Sequence, residues 1–354
     1  MSDIHTGSNR EVNRVAQWAA GRIGRSAMRA VIRHPNMELV GLHVHSADKV
    51  GQDAGELCGL SPVGITATCS IDDLIQTRPD CVLYMPEGYD IDALDKLLNA
   101  GINIVTTRSE FFYPQGMEPG LRQRIETACK NGAATLFATG ISPGFSTVVL
   151  PLALSYISRQ IDCITIDEFA NIPASTTPKM ITDVMGFGSP AKEKFDPARL
   201  DHVATGFSQS LEIVTSAMDI SLDGFKSEGE FALAEEPVEL PNGYIIQPGT
   251  VAGQRITVAA MSNQKPVLQF RANWYCTHAL DKNWELGDSG WRVQVEGDTP
   301  MDVNISFPKS GESYADQMSG LTAHPAVNAV PYVCKAAPGI VTNAGLPVIA
   351  PIIG

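Results

Sequence analysis

Six residues, Ala19-Ala20-Gly21-Arg22-Ile23-Gly24, have the types and spacing to hold a dinucleotide pyrophosphate. Such a loop needs small residues because the chain turns sharply out of a strand, backbone N–H groups approach the phosphates, and the following helix lies close to the sheet. The first glycine of the pattern is replaced here by Ala19, which tolerates the turn only if its φ is negative. Ala20, Gly21, Arg22 and Ile23 are the expected cofactor contacts. A second strand, Leu39 to His45, ends about twenty residues later, where the ribose is read. An NAD site usually places Asp or Glu at that point, but the chain continues His45-Ser46-Ala47-Asp48-Lys49. Ser46 can donate a hydrogen bond to a 2′-phosphate, and Lys49 or Arg22 can supply positive charge. NADP(H) is therefore favoured, with NAD(H) left open because a shift of one residue would make Asp48 the ribose ligand.

A further acidic residue, Glu168, stands mid-strand beside Ile166 and Phe169, where alternation lets it face either a substrate pocket or solvent. Phe145, at the start of a helical stretch, is expected to line the substrate pocket, and Trp274, Tyr275, Trp291 and Met185-Gly186-Phe187-Gly188 are apolar enough to wall it. Arg271, Arg255 and Lys179 are available to hold a substrate carboxylate. The seven cysteines include no C-x-x-C pair and read mostly as small buried hydrophobes, as in a reduced, cytoplasmic protein. The seven histidines show no H-E-x-x-H spacing, so no metal site is expected.

Positioning these groups calls for an α/β chain with two domains. From Asn13 to Gly140 short apolar runs (Val12 to Trp18, Met37 to Val44, Cys81 to Met85, Ile102 to Thr106, Ala134 to Ala138) alternate with helical stretches, the pattern of a Rossmann-type parallel sheet. After a helix over Phe145 to Ser158, strand follows strand: Asp162 to Asn171, Tyr244 to Ile246, Arg255 to Met261, Pro266 to Tyr275, Gly290 to Val295 and Met301 to Phe307. That succession predicts a second, α+β domain with a mostly antiparallel sheet. The region Ile181 to Leu233 has helical character without a clear period. The expected division is a disordered leader over 1–12, a dinucleotide-binding domain over 13–145, a substrate and oligomerisation domain over 146–320, and a C-terminal segment over 321–354, with a helix from Thr322 to Lys335, that returns to the nucleotide domain.

Composition narrows the function. With 354 residues, 44% hydrophobic and 18% charged, and no apolar run long enough to span a bilayer, the chain reads as globular, without a membrane or signal segment. A formal charge of −13 and the lack of a Lys/Arg cluster argue against nucleic acid as a partner.

The residues also carry a likeness to a family. Val15-Ala16-Gln17-Trp18 through Gly24-Arg25, Glu38-Leu39-Val40-Gly41, Val44-His45-Ser46, Lys49-Val50-Gly51, Asp53-Ala54-Gly55 and Tyr84-Met85-Pro86 resemble the dihydrodipicolinate reductase-like superfamily. Within it, the chain resembles the native amine dehydrogenases and 2,4-diaminopentanoate dehydrogenases, and Thr322-Ala323-His324-Pro325-Ala326-Val327-Asn328 with Ala337-Pro338-Gly339-Ile340 extends the likeness to the C-terminal region. Dihydrodipicolinate reductases proper carry His-His-x-x-Lys at the head of the second domain; Glu168 to Lys179 holds no histidine pair, which argues against that activity. The turn Gly140-Ile141-Ser142-Pro143-Gly144-Phe145 resembles the family's Asn-Pro-Gly junction, with Ser142 in place of Asn.

The resemblance implies reversible reductive amination of a ketone or aldehyde with ammonia, by hydride transfer from NAD(P)H to an iminium, in a homodimer joined through the sheet-rich domain. It also implies a catalytic glutamate after the strand Ile102 to Thr107, which is Glu110. Met85, Pro86 and Thr107 are further expected cofactor contacts, and Asn328 is another if the C-terminal helix returns to the cleft with its amide near the nicotinamide carboxamide, the alternative being a helix N-terminal polar residue bonded to backbone. A carboxylate at Glu110 faces the crevice at the carboxyl ends of the strands, where it could hold ammonium and move protons; Phe111, Phe112 and Tyr113 would lower the dielectric around it. A surface glutamate paired with Arg108 is the plainer alternative. The functional alternatives are an amino acid dehydrogenase of the 2,4-diaminopentanoate type, a carbonyl or alcohol oxidoreductase working without ammonia, and a cofactor-binding sensor.

Overall fold

The computed structural model describes residues 12–175, 179–191, 195–240, 243–308 and 314–352, so the expected leader lies outside the described residues except for Val12. The chain forms two compact units, one through Gly140 that resumes at Ser319, the other from Ile141 to Met318.

In the first unit, strands β1 (Asn13–Trp18), β2 (Met37–His43), β3 (Ala67–Thr68), β4 (Cys81–Tyr84), β5 (Asn103–Thr106) and β6 (Thr135–Ala138) alternate with helices α1 (Arg22–Arg33), α2 (Ala54–Leu57), α3 (Ile71–Gln76), α4 (Ile91–Asn99) and α5 (Pro119–Gly132). Every described strand pairing in this sheet is parallel. A parallel sheet is covered on both faces, which is why Cys81-Val82-Leu83-Tyr84 is a continuous apolar run rather than an alternating one. Helix α1 turns Ala27, Met28 and Val31 onto the sheet, and α4 turns Leu94, Leu97 and Leu98 inward, each set at helical spacing.

The second unit holds α6 (Leu150–Ser155), β7 (Ile161–Asn171), α7 (Ile172–Ser175), α8 (Pro197–Ala217), β8 (Gly224–Leu233), β9 (Val238–Glu239), β10 (Ile245–Ile246), β11 (Val251–Ser262), β12 (Lys265–Tyr275), β13 (Gly290–Gly297) and β14 (Met301–Ser306). Its main sheet runs β14-β13-β7-β12-β11-β8, antiparallel except for the β7–β12 pair. The expected helix over Phe145 to Ser158 opens instead as a wider π-helical turn, Phe145–Val149, before α6. The stretch without a clear period resolves into α8 and β8. Asp196 caps α8 by accepting a hydrogen bond from Ala198 N at 3.0 Å, with Pro197 at the first helical position.

Side chains alternate along β7, so Thr165 and Asp167 share one face while Ile164, Ile166 and Glu168 share the other. Phe270 pairs with Ile166 in register and stacks on Phe207 of α8 at 4.0 Å between ring centroids. Glu168 therefore belongs to the face that α8 covers.

Helix α9 (Tyr314–Val333) brings Ala326, Val327, Ala329 and Val330 into the same buried cluster as Val15, Met28 and Leu42 of the first unit. Strand β15 (Gly339–Val341) then adds to β6 at the edge of the parallel sheet.

Candidate active site

The dinucleotide-type loop is held from inside β1. Gln17 is fully buried in that strand, and its Nε2 donates to the carbonyl oxygens of Trp18 and Ala19, both at 3.0 Å. Ala19 N donates to His43 O at 2.9 Å. Pinned on both sides, Ala19 takes φ = 78°, the opposite of the negative φ expected for an alanine at this position. A left-handed alanine costs roughly 1–2 kcal/mol, so the loop stores strain where glycine would relieve it. Gly24 fits the pattern: a Cβ on it would lie 2.1 Å from Ala19 O, so α1 can approach the loop only without a side chain there. Gly21 is the N-cap of α1, receives no side-chain cap, and a Cβ on it would meet nothing within 4 Å. The N–H groups of the first turn of α1 thus lie beside open space, a setting that suits a pyrophosphate.

Beside the loop lies a cavity of ≈ 490 Å³ whose walls include Ala20, Gly21, His45, Ser46, Lys49, Met85 and Pro86. Lys49 Nζ donates to Ala20 O at 3.3 Å. Asp48 sits exposed on the turn Ala47–Lys49 and is absent from the cavity wall. Trp18 stacks on His43 with centroids 3.7 Å apart, and its Nε1 donates to His45 Nε2 at 3.1 Å, which leaves Nδ1 as the protonated nitrogen of a neutral His45. Burial, with the neighbouring His45, pushes the His43 imidazole down to about 4, so it stays neutral at physiological pH.

Other expected contacts are spread more widely. Arg22 and Ile23 open α1 and lie outside the cavity wall, as does Thr107, which follows β5 at the same carboxyl edge of the sheet. Asn328 is elsewhere. It lines a separate cavity of ≈ 310 Å³ with Asn13, His34, Asn36 and Met37, where β1 and β2 begin, so α9 does not bring it to the nucleotide loop. The reason is packing: α9 seats its small residues against the sheet core and leaves Asn328 at the amino ends of the strands.

Glu110 lies in the short helical turn Ser109–Phe111, four residues beyond the carboxyl end of β5. Arg108 grips both carboxylate oxygens, with Nε on Oε2 at 3.1 Å and Nη2 on Oε1, while its Nη1 donates to Glu87 O. Phe111 and Phe112 are buried, and the group paired with this carboxylate is the Arg108 guanidinium.

Glu168, in the second unit, has a different setting. Trp274 Nε1 donates to its Oε1 at 3.5 Å and Trp291 Nε1 to its Oε2 at 3.3 Å. Burial pushes the Glu168 carboxyl up, opposed by Ser142 and the two indoles, although Ser142 Oγ is not aligned for a hydrogen bond of good geometry. The residue as a whole is half-buried. The Phe145 ring lies 6.3 Å from that of Trp291, which also meets Phe307 edge-on at 4.9 Å. Tyr275 turns elsewhere and donates its hydroxyl to Gly287 O at 2.8 Å, and Phe187 is buried in a satellite core.

The cations offered for a substrate carboxylate are engaged on the opposite face of the sheet. Arg271 Nη2 pairs with Asp167 Oδ2 at 2.5 Å; Arg255 Nε donates to Asn273 Oδ1 at 2.6 Å, and its guanidinium lies 4.6 Å from the Trp284 ring centroid. Lys179 is exposed.

Sequence reasoning passed over Gln17 and the Trp18–His43–His45 arrangement. A glutamine inside an apolar, doubly covered strand was the available signal, since such a group is kept only where it makes hydrogen bonds.

Residues 148–354 match the 2,4-diaminopentanoate dehydrogenase C-terminal domain, and residues 18–107 match the dihydrodipicolinate reductase N-terminus. An amine dehydrogenase of Streptomyces virginiae is 27% identical over 351 residues, 95% of this chain and 96% of that protein. A 2,4-diaminopentanoate dehydrogenase of Acetoanaerobium sticklandii is 23% identical over 193 residues, 51% of this chain and 52% of that protein. The solved amine dehydrogenase of Mycobacterium smegmatis superposes with a TM-score of 0.71 at 20% identity, covering 96% of this chain and 97% of that one, a likeness of fold.

Proposed function

We propose, from the premise that this chain belongs to the 2,4-diaminopentanoate dehydrogenase C-terminal domain family, that it is an amine dehydrogenase that converts a ketone or aldehyde and ammonia to a primary amine. It is an NAD(P)-dependent oxidoreductase of dihydrodipicolinate reductase-like fold. The observation that carries the finer reading is whole-length similarity to an amine dehydrogenase, combined with a carboxylate, Glu110, at the same sheet edge as the dinucleotide-type loop.

The reaction balances as carbonyl, ammonia, NAD(P)H and a proton giving amine, NAD(P)⁺ and water. The bound nicotinamide supplies the hydride. Glu110 accepts a proton as the nitrogen adds to the carbonyl carbon and returns one to the hydroxyl that leaves as water, so that the same carboxylate serves both steps. Arg108 fixes the orientation of that carboxylate through its two contacts and its anchor on Glu87 O. The uncapped start of α1 and the Gly21 opening receive the pyrophosphate, and His45, Ser46 and Lys49 receive the adenosine ribose. With Arg255 and Arg271 engaged with Asn273 and Asp167, a substrate without a carboxylate is favoured over an amino acid.

A panel of ketones and aldehydes incubated with NADPH, with and without ammonium, tests this directly. NADPH oxidation that requires ammonium, with amine formed, is the expected result; equal oxidation without ammonium would replace the reading by a carbonyl reductase.

NADP(H) is the proposed preference, because Ser46 and Lys49 line the cavity and Asp48 does not. Ser46→Asp is expected to raise the KM for NADPH about tenfold or more by placing a carboxylate against the 2′-phosphate, with a much smaller change for NADH. An unchanged NADPH KM would mean that the ribose is read elsewhere. A cytoplasmic homodimer with the second unit at its interface is the proposed assembly; no described helix is long and apolar enough to cross a membrane.

A further inference from the structure

Glu168 and Glu110 are both carboxylates within structured segments, but their charges are handled in opposite ways. Glu110 is neutralised by Arg108. Among the described residues Glu168 has no ion-pair partner, and its oxygens meet neutral groups, the indole N–H groups of Trp274 and Trp291 with the Ser142 hydroxyl beside them. A donor on each oxygen suits an ionised carboxylate, which only accepts, better than the neutral acid, one of whose oxygens carries its own proton. An anion placed among aromatic side chains without a counter-charge is costly, and the cost is recovered when a cation docks against it. The indoles leave further lone pairs on both oxygens, and the residue as a whole is only half-buried.

We propose that Glu168 is the anionic half of an ammonium-binding subsite, framed by Trp274, Trp291 and Phe145, which takes the protonated primary amine of an alkylamine ligand of this enzyme. The inference rests on the amine dehydrogenase reading only for the reaction in which that amine takes part; the recognition itself follows from the uncompensated charge. A primary ammonium offers three N–H donors to the free lone pairs of the carboxylate, while its alkyl chain suits the aromatic surroundings. An alcohol of the same length offers neither the charge nor the donors, so the subsite discriminates amine from alcohol.

The test is calorimetric titration of the full chain holding NADPH with butylammonium chloride or with 1-butanol. NADPH and an amine are both in the reduced state and cannot react, so binding is read without turnover. Butylammonium is expected to bind at least about tenfold more tightly than 1-butanol, and Glu168→Gln to remove that advantage while NADPH affinity is unchanged; Glu168→Asp, which retains the charge, should keep part of it. Equal affinity for the two ligands in the unaltered protein overturns the proposal, and this comparison needs no variant to fold. Unchanged butylammonium affinity in a folded Glu168→Gln overturns it as well. Glu168-dependent amine binding in a protein that never uses ammonium in turnover would uphold the subsite and remove the amine dehydrogenase reading; ammonium-dependent turnover with amine affinity indifferent to Glu168 would do the reverse.

Discussion

Glu110→Gln is expected to lower kcat for reductive amination by about 10²- to 10⁴-fold, with the Kd for NADPH unchanged. The amide preserves size and can still accept from Arg108, so the turn Ser109–Phe111 should hold its place, helped by the Arg108 contact to Glu87 O and by the buried Phe111 and Phe112. What it cannot do is take and return a proton, which is the whole of the role assigned to Glu110. A purely structural Glu110, present only to pair with Arg108, predicts a different pattern: kcat nearly intact, and a loss of thermal stability shared by Arg108→Met. Steady-state kinetics at saturating ammonium, with a melting curve for each variant, separate the two. Unchanged kcat in Glu110→Gln would end its assignment to proton transfer.

The architecture was legible because its strands are simple to recognise. The apolar runs of β1, β2, β4, β5 and β6 are buried on both sides and carry no competing period, so their positions are read to within a residue or two. β8 was not legible, since Gly224-Phe225-Lys226-Ser227-Glu228-Gly229-Glu230 is largely polar and lies at the edge of its sheet, where pairing on one side suffices. The helical character of α8 was legible but its bounds were not, although Asp196-Pro197 is a recognisable start, because the helix buries small and polar residues such as Ala204, Ser210 and Thr215 alongside Phe207 and Leu211.

Which residues could share a cavity was more legible than how the candidate groups are arranged. His45, Ser46, Lys49, Met85 and Pro86 do line one cavity, but which way Glu168 faces depends on where α8 packs, and no local pattern encodes that. The φ of Ala19 depends on Gln17, whose carboxamide reaches two residues along the chain to hold the turn; a loop fingerprint that counts glycines is blind to such a brace. Asn328 illustrates the same limit over a longer range: its motif places it on a helix, and only packing decides which end of the sheet that helix delivers it to.

Two alanine substitutions in the loop, one turn of helix apart, should fail in different ways. Gly24→Ala would set a Cβ 2.1 Å from Ala19 O, a backbone atom pinned by Gln17 and unable to swing aside. α1 must then retreat from β1, breaking the packing of Ala27 and Met28 that fixes the helix, at a cost of about 3 kcal/mol, the upper end for overpacking because both parties are main chain. The melting temperature should fall by several degrees, and NADPH affinity should drop about 100-fold or more as the N–H groups of the first turn leave the loop. Gly21→Ala meets nothing within 4 Å and replaces a glycine at φ = −75°, which alanine adopts freely, so its stability should be nearly that of the unaltered protein. Its Cβ would nevertheless project into the space through which a phosphate approaches the start of α1, and NADPH affinity should fall while the melting temperature without cofactor stays put. Differential scanning calorimetry without cofactor, paired with NADPH fluorescence titration, reads both quantities. If Gly21→Ala bound NADPH normally, the pyrophosphate could not lie where the open end of α1 would put it; if Gly24→Ala melted like the unaltered protein, the close contact between α1 and the loop would not be what holds the helix in register with the cofactor.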